Sequence, residues 1–202
     1  MTNNTKNCLI CGVGGQGTVL ASKLIAQAAI DMGLSAKTAE TIGMAQRGGS
    51  VVSHVRIGEN LSAPMIGPGE ADVIIGFEPG ETVRCLDYLK KGGTVIVNTN
   101  AVIPVTASLG LHYEGAEMIG YLEKLAERGV LTLVKINGKA ICERLGSTKV
   151  LNVVLLGKAA SSGILGIGTD EIAQVIKARL PEKFHEINLR ALYNNEKENA
   201  AS

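Results

Sequence analysis

The chain is 202 residues long and 46% hydrophobic, enough to bury a sizeable core, which excludes wholesale disorder. Twenty Lys and Arg stand against 19 Asp and Glu, a formal charge of +1, so no global field draws in nucleic acid or an anionic membrane. Aromatic residues make up only 3% and Trp is absent, which argues against a base-stacking platform, while 25 glycines point to tight loops and close backbone contacts.

In chain order, Lys6 to Val13 reads as a buried strand, and from Thr18 the residues Leu20, Leu24, Ile25, Ala28 and Met32 recur at helical spacing until Gly33. Ser35 to Glu40 reads as a short second strand, Thr41 to Gly49 as a polar, glycine-rich loop, and Ser50 to Ile57 as a third strand. Asp72 to Phe77, Thr94 to Asn98 and Leu131 to Ile136 are compact β-branched or apolar runs of the kind buried on both faces, with Glu81 to Leu89 and Ala116 to Arg128 helical between them. This alternation calls for a three-layer α/β/α domain with a mainly parallel, Rossmann-like sheet. After Ile136 no strand pattern follows, and caps such as Thr169 mark helices. The partition expected is a single domain over 1–202: a sheet core at 1–137, a C-terminal helical extension at 138–193 and a flexible tail at 194–202. Val150 to Leu156 is apolar around nearly the whole helix circumference, which suits either an internal helix or a partner surface.

The N-terminus lacks the charged-then-apolar layout of a signal peptide, and no apolar stretch approaches the ~20 residues that span a bilayer, so a cytoplasmic protein without membrane contact is expected. The cysteines, Cys8, Cys11, Cys85 and Cys142, suit reduced thiols there. Cys8 and Cys11 have CxxC spacing, but on a strand residues three apart point to opposite faces, which favours buried thiols over a metal or redox pair.

Gly12-Val13-Gly14-Gly15-Gln16-Gly17 satisfies G-x-G-x-x-G at a strand-to-helix junction, and Glu40, about 20 residues on, would complete a dinucleotide fingerprint. The alternative is that the glycines only allow tight strand–helix packing. A second glycine-rich loop carries Gln46, Arg47, Gly48 and Gly49, with Arg47 as its one cation. Loops after parallel strands emerge on one edge, so both glycine segments, Glu78-Pro79-Gly80 and Asn98-Thr99-Asn100 should converge. Glu78 and Asn98 then serve either as edge contacts or as local caps. His54 shares a strand face with Val52 and Arg56, a face expected to meet solvent or an interface. No set of residues has zinc-ligand spacing, and neither a serine elbow nor a Walker lysine is present. The chain by itself offers no convincing nucleophile, base or metal centre.

Taken together, residues 12–17, 43–56, 71–79, 93–98 and 152–157 closely resemble the beta-subunit family of the indolepyruvate:ferredoxin oxidoreductases, which carries the gamma-type domain of the 2-oxoacid:acceptor oxidoreductases. The resemblance covers almost the whole chain, with one departure at Ile42, where many relatives have His. It implies an accessory subunit in a complex that oxidatively decarboxylates an arylpyruvate to an acyl-coenzyme A and passes electrons to ferredoxin. It further implies that thiamine diphosphate, magnesium and iron–sulfur clusters reside in a larger alpha subunit, that coenzyme A is a co-substrate, and that this chain binds no cofactor alone. A gamma-type subunit for another 2-oxoacid and a stand-alone nucleotide-binding module are the other readings. No nucleic-acid partner is expected.

Overall fold

A computed structural model describes residues 5–42, 49–59, 61–102 and 113–195. The elements are β1 Lys6–Val13, α1 Thr18–Asp31, β2 Ala36–Ile42, β3 Ser50–Ile57, β4 Ala71–Gly76, α2 Pro79–Arg84, β5 Leu89–Asn98, α3 Gly115–Glu127 and β6 Thr132–Ile136. Four helices follow: α4 Gly138–Leu145, α5 Leu151–Ser161, α6 Thr169–Arg179 and α7 His185–Leu192.

The strands form one sheet in the order β2-β3-β1-β4-β5-β6. β1, β4, β5 and β6 pair in parallel, whereas β3 runs antiparallel to both β1 and β2. Five strands therefore share one direction, as a mainly parallel sheet requires, and β3 is inserted between β1 and β2. Chain length explains the insertion. Only seven residues separate Ile42 from Ser50, and a parallel crossover needs about a dozen or more, so β3 can only turn back beside β2.

Several boundaries differ from expectation: β2 runs over Ala36–Ile42, two residues into the expected loop, and the larger differences surround α2. The helix expected through Leu89 ends at Arg84, followed by a 3-10 turn at Leu86–Tyr88, and β5 starts at Leu89 rather than Thr94. Lys90-Lys91-Gly92-Gly93 has no alternation to announce a strand. Its register comes from the ladder, where Ala71 pairs with Leu89 ahead of a bulge between Ala71 and Val73. In α6, Gly168 is the N-cap and Thr169 the first helical residue.

Each face of the sheet has its own core. α2 and α3 cover Leu9, Cys11, Ile74, Val95 and Val97. On the other face, Cys8, Ile10, Val73, Ile75 and Ile96 pack with α1 and with residues of α4 to α7. The C-terminal helices are thus a layer of the sandwich, sharing one core with α1. α5 is its centre: Val153, Val154, Leu155 and Leu156 are all buried, so the internal reading of this apolar helix is the one observed and it offers no partner surface. Among the described residues no helix is long and apolar enough to cross a membrane.

The His54 face is covered, contrary to expectation, because the non-periodic segment 61–70 crosses it. His54 is 1% exposed, accepts a hydrogen bond from Ile66 N at 3.2 Å through Nδ1, and meets the Tyr88 ring edge-on. Arg56 donates to the carbonyls of Ala63 and Met65, and Lys37 to that of Ser62, strapping the segment down. Burial holds the His54 imidazole below its usual pKa of 6.5. The unfolded chain takes that proton more readily than the folded one, so the stability His54 supplies is complete above that value and is lost as pH falls through the lowered one. Urea midpoints should therefore drop between about pH 7 and 5 in the parent, and drop less in His54→Gln. Equal slopes in the two proteins would remove His54 as the anchor.

Candidate functional site

At the carboxy-terminal edge of the parallel strands, β1, β4 and β5 end side by side, with Cys11 opposite Gly76 and Gly76 opposite Val97. The glycine turn leaves β1 here. Gly15 and Gly17 have φ of 96° and 87°, in the left-handed region that favours glycine. A Cβ on Gly17 would lie 2.9 Å from Nδ2 of Asn152, so α5 closes on the turn from beneath.

Gln16 is the brace of this turn. Its Oε1 accepts from Val13 N at 2.8 Å, and its Nε2 donates to Phe77 O at 3.2 Å, joining the ends of β1 and β4. Gly12 leaves room for this side chain, since a Cβ there would come within 2.6 Å of Gln16 Oε1. Gly14 N donates to Gly49 O at 2.9 Å, which holds the second glycine loop's last residue against the first. The Gly14 N–H is thus used inside the chain, and so is that of Gln16, which donates to Val13 O at 3.2 Å.

Asn98 supports the next strand end. Its Nδ2 donates to Phe77 O and Asn100 O, and its Oδ1 accepts from Gly138 N and Asn100 N. Phe77 O therefore receives both amides, and Phe77 N donates to Cys11 O at 2.8 Å. Both readings of Asn98 meet in one residue, since it is an edge residue whose work is to brace its neighbours.

Glu78 is the N-cap of α2, accepting from Glu81 N at 2.9 Å, with Pro79 at the first helical position. The Tyr113 hydroxyl donates to Glu78 Oε1 and accepts from Gly80 N at 3.2 Å, pinning the chain before α3 to the head of α2. Burial, followed by the Glu78 carboxylate, pushes the Tyr113 hydroxyl well above its ordinary pKa of 10.0. Glu81 pairs with Arg84 through Oε1, while its buried Oε2 has no hydrogen-bond partner among the described residues.

Gly12, Gly14, Gly15, Gln16, Gly17, Gly49, Glu78 and Asn98 thus share one edge. Glu40 does not join them. It lies on the outer strand opposite Ser53, and its carboxylate accepts from Ser22 of α1 at 3.3 Å. With β3 between β1 and β2, this carboxylate is a strand too far out for the dinucleotide arrangement, in which the first two strands are neighbours. Gln46, Arg47 and Gly48 lie outside the described residues. Sequence reasoning missed Asn152, Phe77 and Tyr113. The Asn152 signal was legible: a polar residue in an otherwise apolar helix turn needs a reason.

The side chains of Gln16, Glu78, Asn98 and Tyr113 all find partners within the chain, so among the described residues the edge is a braced platform without a nucleophile–base pair. Cys8 and Cys11 belong to opposite cores, and among the described residues no group of three or more His, Cys, Asp or Glu could hold a metal ion.

The family model described as pyruvate ferredoxin/flavodoxin oxidoreductase matches residues 7–194. Indolepyruvate oxidoreductase subunit IorB of Archaeoglobus fulgidus is 42% identical over 188 residues, covering 92% of this chain and 91% of that one. The subunit of the same name from Thermococcus kodakarensis is 35% identical over 186 residues, again 92% and 91% of the two chains. Among solved structures, the keto/oxoacid ferredoxin oxidoreductase gamma subunit of Geobacter sulfurreducens shares the fold at TM-score 0.69 and 22% identity, covering 98% of this chain and 99% of that one. A chain of the 2-oxoglutarate:ferredoxin oxidoreductase of Magnetococcus marinus matches at TM-score 0.72 and 20% identity, over 98% of this chain and 31% of that one.

Proposed function

Since the chain belongs to the pyruvate ferredoxin/flavodoxin oxidoreductase family, we propose that it is the accessory subunit of an indolepyruvate:ferredoxin oxidoreductase. The complex would oxidatively decarboxylate arylpyruvates to acyl-coenzyme A and pass the electrons to ferredoxin. The observation that carries this reading is the 42% identity to an IorB subunit over nine-tenths of both chains.

Thiamine diphosphate, magnesium and iron–sulfur clusters fall to the larger alpha subunit in this reading. The residues of the present chain do not fit a cluster, since one needs about four converging thiolates and Cys8 is turned to the opposite core from Cys11 and Cys85. The fold's share of 31% of the longer Magnetococcus chain supports a piece that works within a larger assembly. A gamma-type subunit for another 2-oxoacid is the second reading. It draws on the 2-oxoglutarate synthase subunit KorC of Methanothermobacter thermautotrophicus, at 28% identity, below the IorB relatives.

The test is assembly. The purified chain and the larger subunit, mixed anaerobically, should elute together in size-exclusion chromatography, and unchanged separate elution would overturn the proposal.

Arg47 is the side chain proposed to meet coenzyme A or the oxoacid. Its loop starts beyond Ile42, opposite Val51, and ends at Gly49 against the glycine turn, so both its anchors are on this edge. A charge-assisted contact contributes about 1.5–3 kcal/mol, so Arg47→Ala should raise the apparent KM for one of the two by roughly tenfold or more. Unchanged kinetics in an intact complex would eliminate Arg47 as a ligand contact, and loss of the complex would make it an interface residue.

A further inference from the structure

One flank of the molecule is left open. β2 ends the sheet, so among the described residues its second edge has no strand on it. Such edges are usually guarded by outward charges, a proline or a bulge. Here β2 follows β3 residue for residue, and its two charged side chains are engaged within the chain, Lys37 donating to Ser62 O and Glu40 accepting from Ser22.

The helix packed on β2 and β3 is equally unguarded. Lys23 and Asp31 are the only charged residues of α1, and the exposed Leu20, Ile30, Met32 and Leu34 lie on it or just after it. A cleft of about 360 Å³ opens between α1 and α6, over the buried Leu24 and Val175, with Leu20, Gln27 and Thr38 of β2 among its walls. α1 also ends against its dipole: the last turn has no basic residue and Asp31 closes it, where the partial negative charge favours a cation. Asp31 accepts from the neutral Gln27 amide at 2.6 Å, and no ion pair engages either Asp31 or Lys23 among the described residues.

The two charges complement each other about Gln27. Lys23 stands four residues before it and Asp31 four after, all on one helix face, so a two-fold axis at Gln27 sets each Lys23 level with the Asp31 of a second copy. The same axis serves β2. The contact of Ser22 with Glu40 fixes the level of the helix against the strand. From there Gln27 is about 7.5 Å along the helix and Thr38 about 6.6 Å back along the strand, so the two stand level, and both line the cleft. An axis normal to the sheet at that level makes β2 antiparallel to its copy, with Thr38 opposite Thr38, Lys37 opposite Ala39 and Glu40 opposite Ala36. No like charges face each other in this register, and the Thr pair is a favourable one.

We propose that α1 and the free edge of β2 form a symmetric interface between two copies of this chain, joining their six-stranded sheets into one. Each copy supplies the cation that the other's α1 lacks at its C-terminus, and the exposed Ile30 and Leu34 of one copy are covered at the Leu20 end of the other. The interface needs no larger subunit and requires nothing of the subunit assignment.

The test is sedimentation velocity on the full chain, which should be a dimer at micromolar concentration. Lys23→Glu sets like charges together twice across the axis and should weaken the dimer by roughly tenfold, and Asp31→Lys should do the same. Lys23→Glu combined with Asp31→Lys restores opposite charges and should return the dissociation constant to within about threefold of the parent. A parent chain that stays monomeric up to about 100 μM, single reversals that leave the dimer unweakened, or a double variant no tighter than the singles would each overturn the proposal. A monomeric chain that still joins the larger subunit would overturn it while leaving the subunit assignment intact.

Discussion

Phe77→Ala should destabilise the chain by about 3–5 kcal/mol, seen as a lower urea midpoint at an unchanged slope. The ring is 0% exposed and belongs to the core that α1 and α5 share, so its removal leaves a cavity no neighbour fills. The residue's backbone also joins three parts of the edge, donating to Cys11 and receiving the amides of Gln16 and Asn98. A loss of this size is a large part of the 5–15 kcal/mol that holds an ordinary domain together, and the complex should become hard to recover. Phe77→Leu keeps most of the volume and should cost well under half as much. A midpoint for Phe77→Ala within error of the parent would show that the ring is not a core element.

Asn98→Leu should follow at about 2–4 kcal/mol. The substitution is close in size, so packing changes little and the effect isolates hydrogen bonding. Four bonds disappear, and the Gly138 N–H, on a buried residue, has no water to replace the lost acceptor at 3.1 Å. Phe77 O keeps the Gln16 amide, which is why the loss stays below the cost of four orphaned groups. Isothermal urea titration reads the difference, and a loss under about 0.5 kcal/mol would mean that the edge relaxes around the leucine.

The elements were legible wherever local pattern determines them. β1 and its turn into α1 follow from an apolar run broken by glycines, and the burial of α5 from a circumference without a polar face. Strand order was less accessible, since placing β3 between β1 and β2 depends on pairing between distant segments. The signal existed in the seven-residue connection after Ile42. His54 was misplaced because alternation says which residues share a face, while its cover, the strap around Ile66, has no periodicity of its own. Gln16 was visible as a polar residue inside a glycine motif, yet its purpose depends on Phe77, 61 positions later. Tyr113 reaches Glu78 from 35 positions away, and no local pattern encodes that contact.

The most direct test of the subunit assignment is anaerobic reconstitution, following ferredoxin reduction that requires both indolepyruvate and coenzyme A. Neither this chain nor the larger subunit alone should turn over. The equimolar mixture should, with a higher kcat/KM for indolepyruvate than for pyruvate or 2-oxoglutarate. A larger subunit fully active without this chain, or a mixture that prefers 2-oxoglutarate, would contradict the assignment.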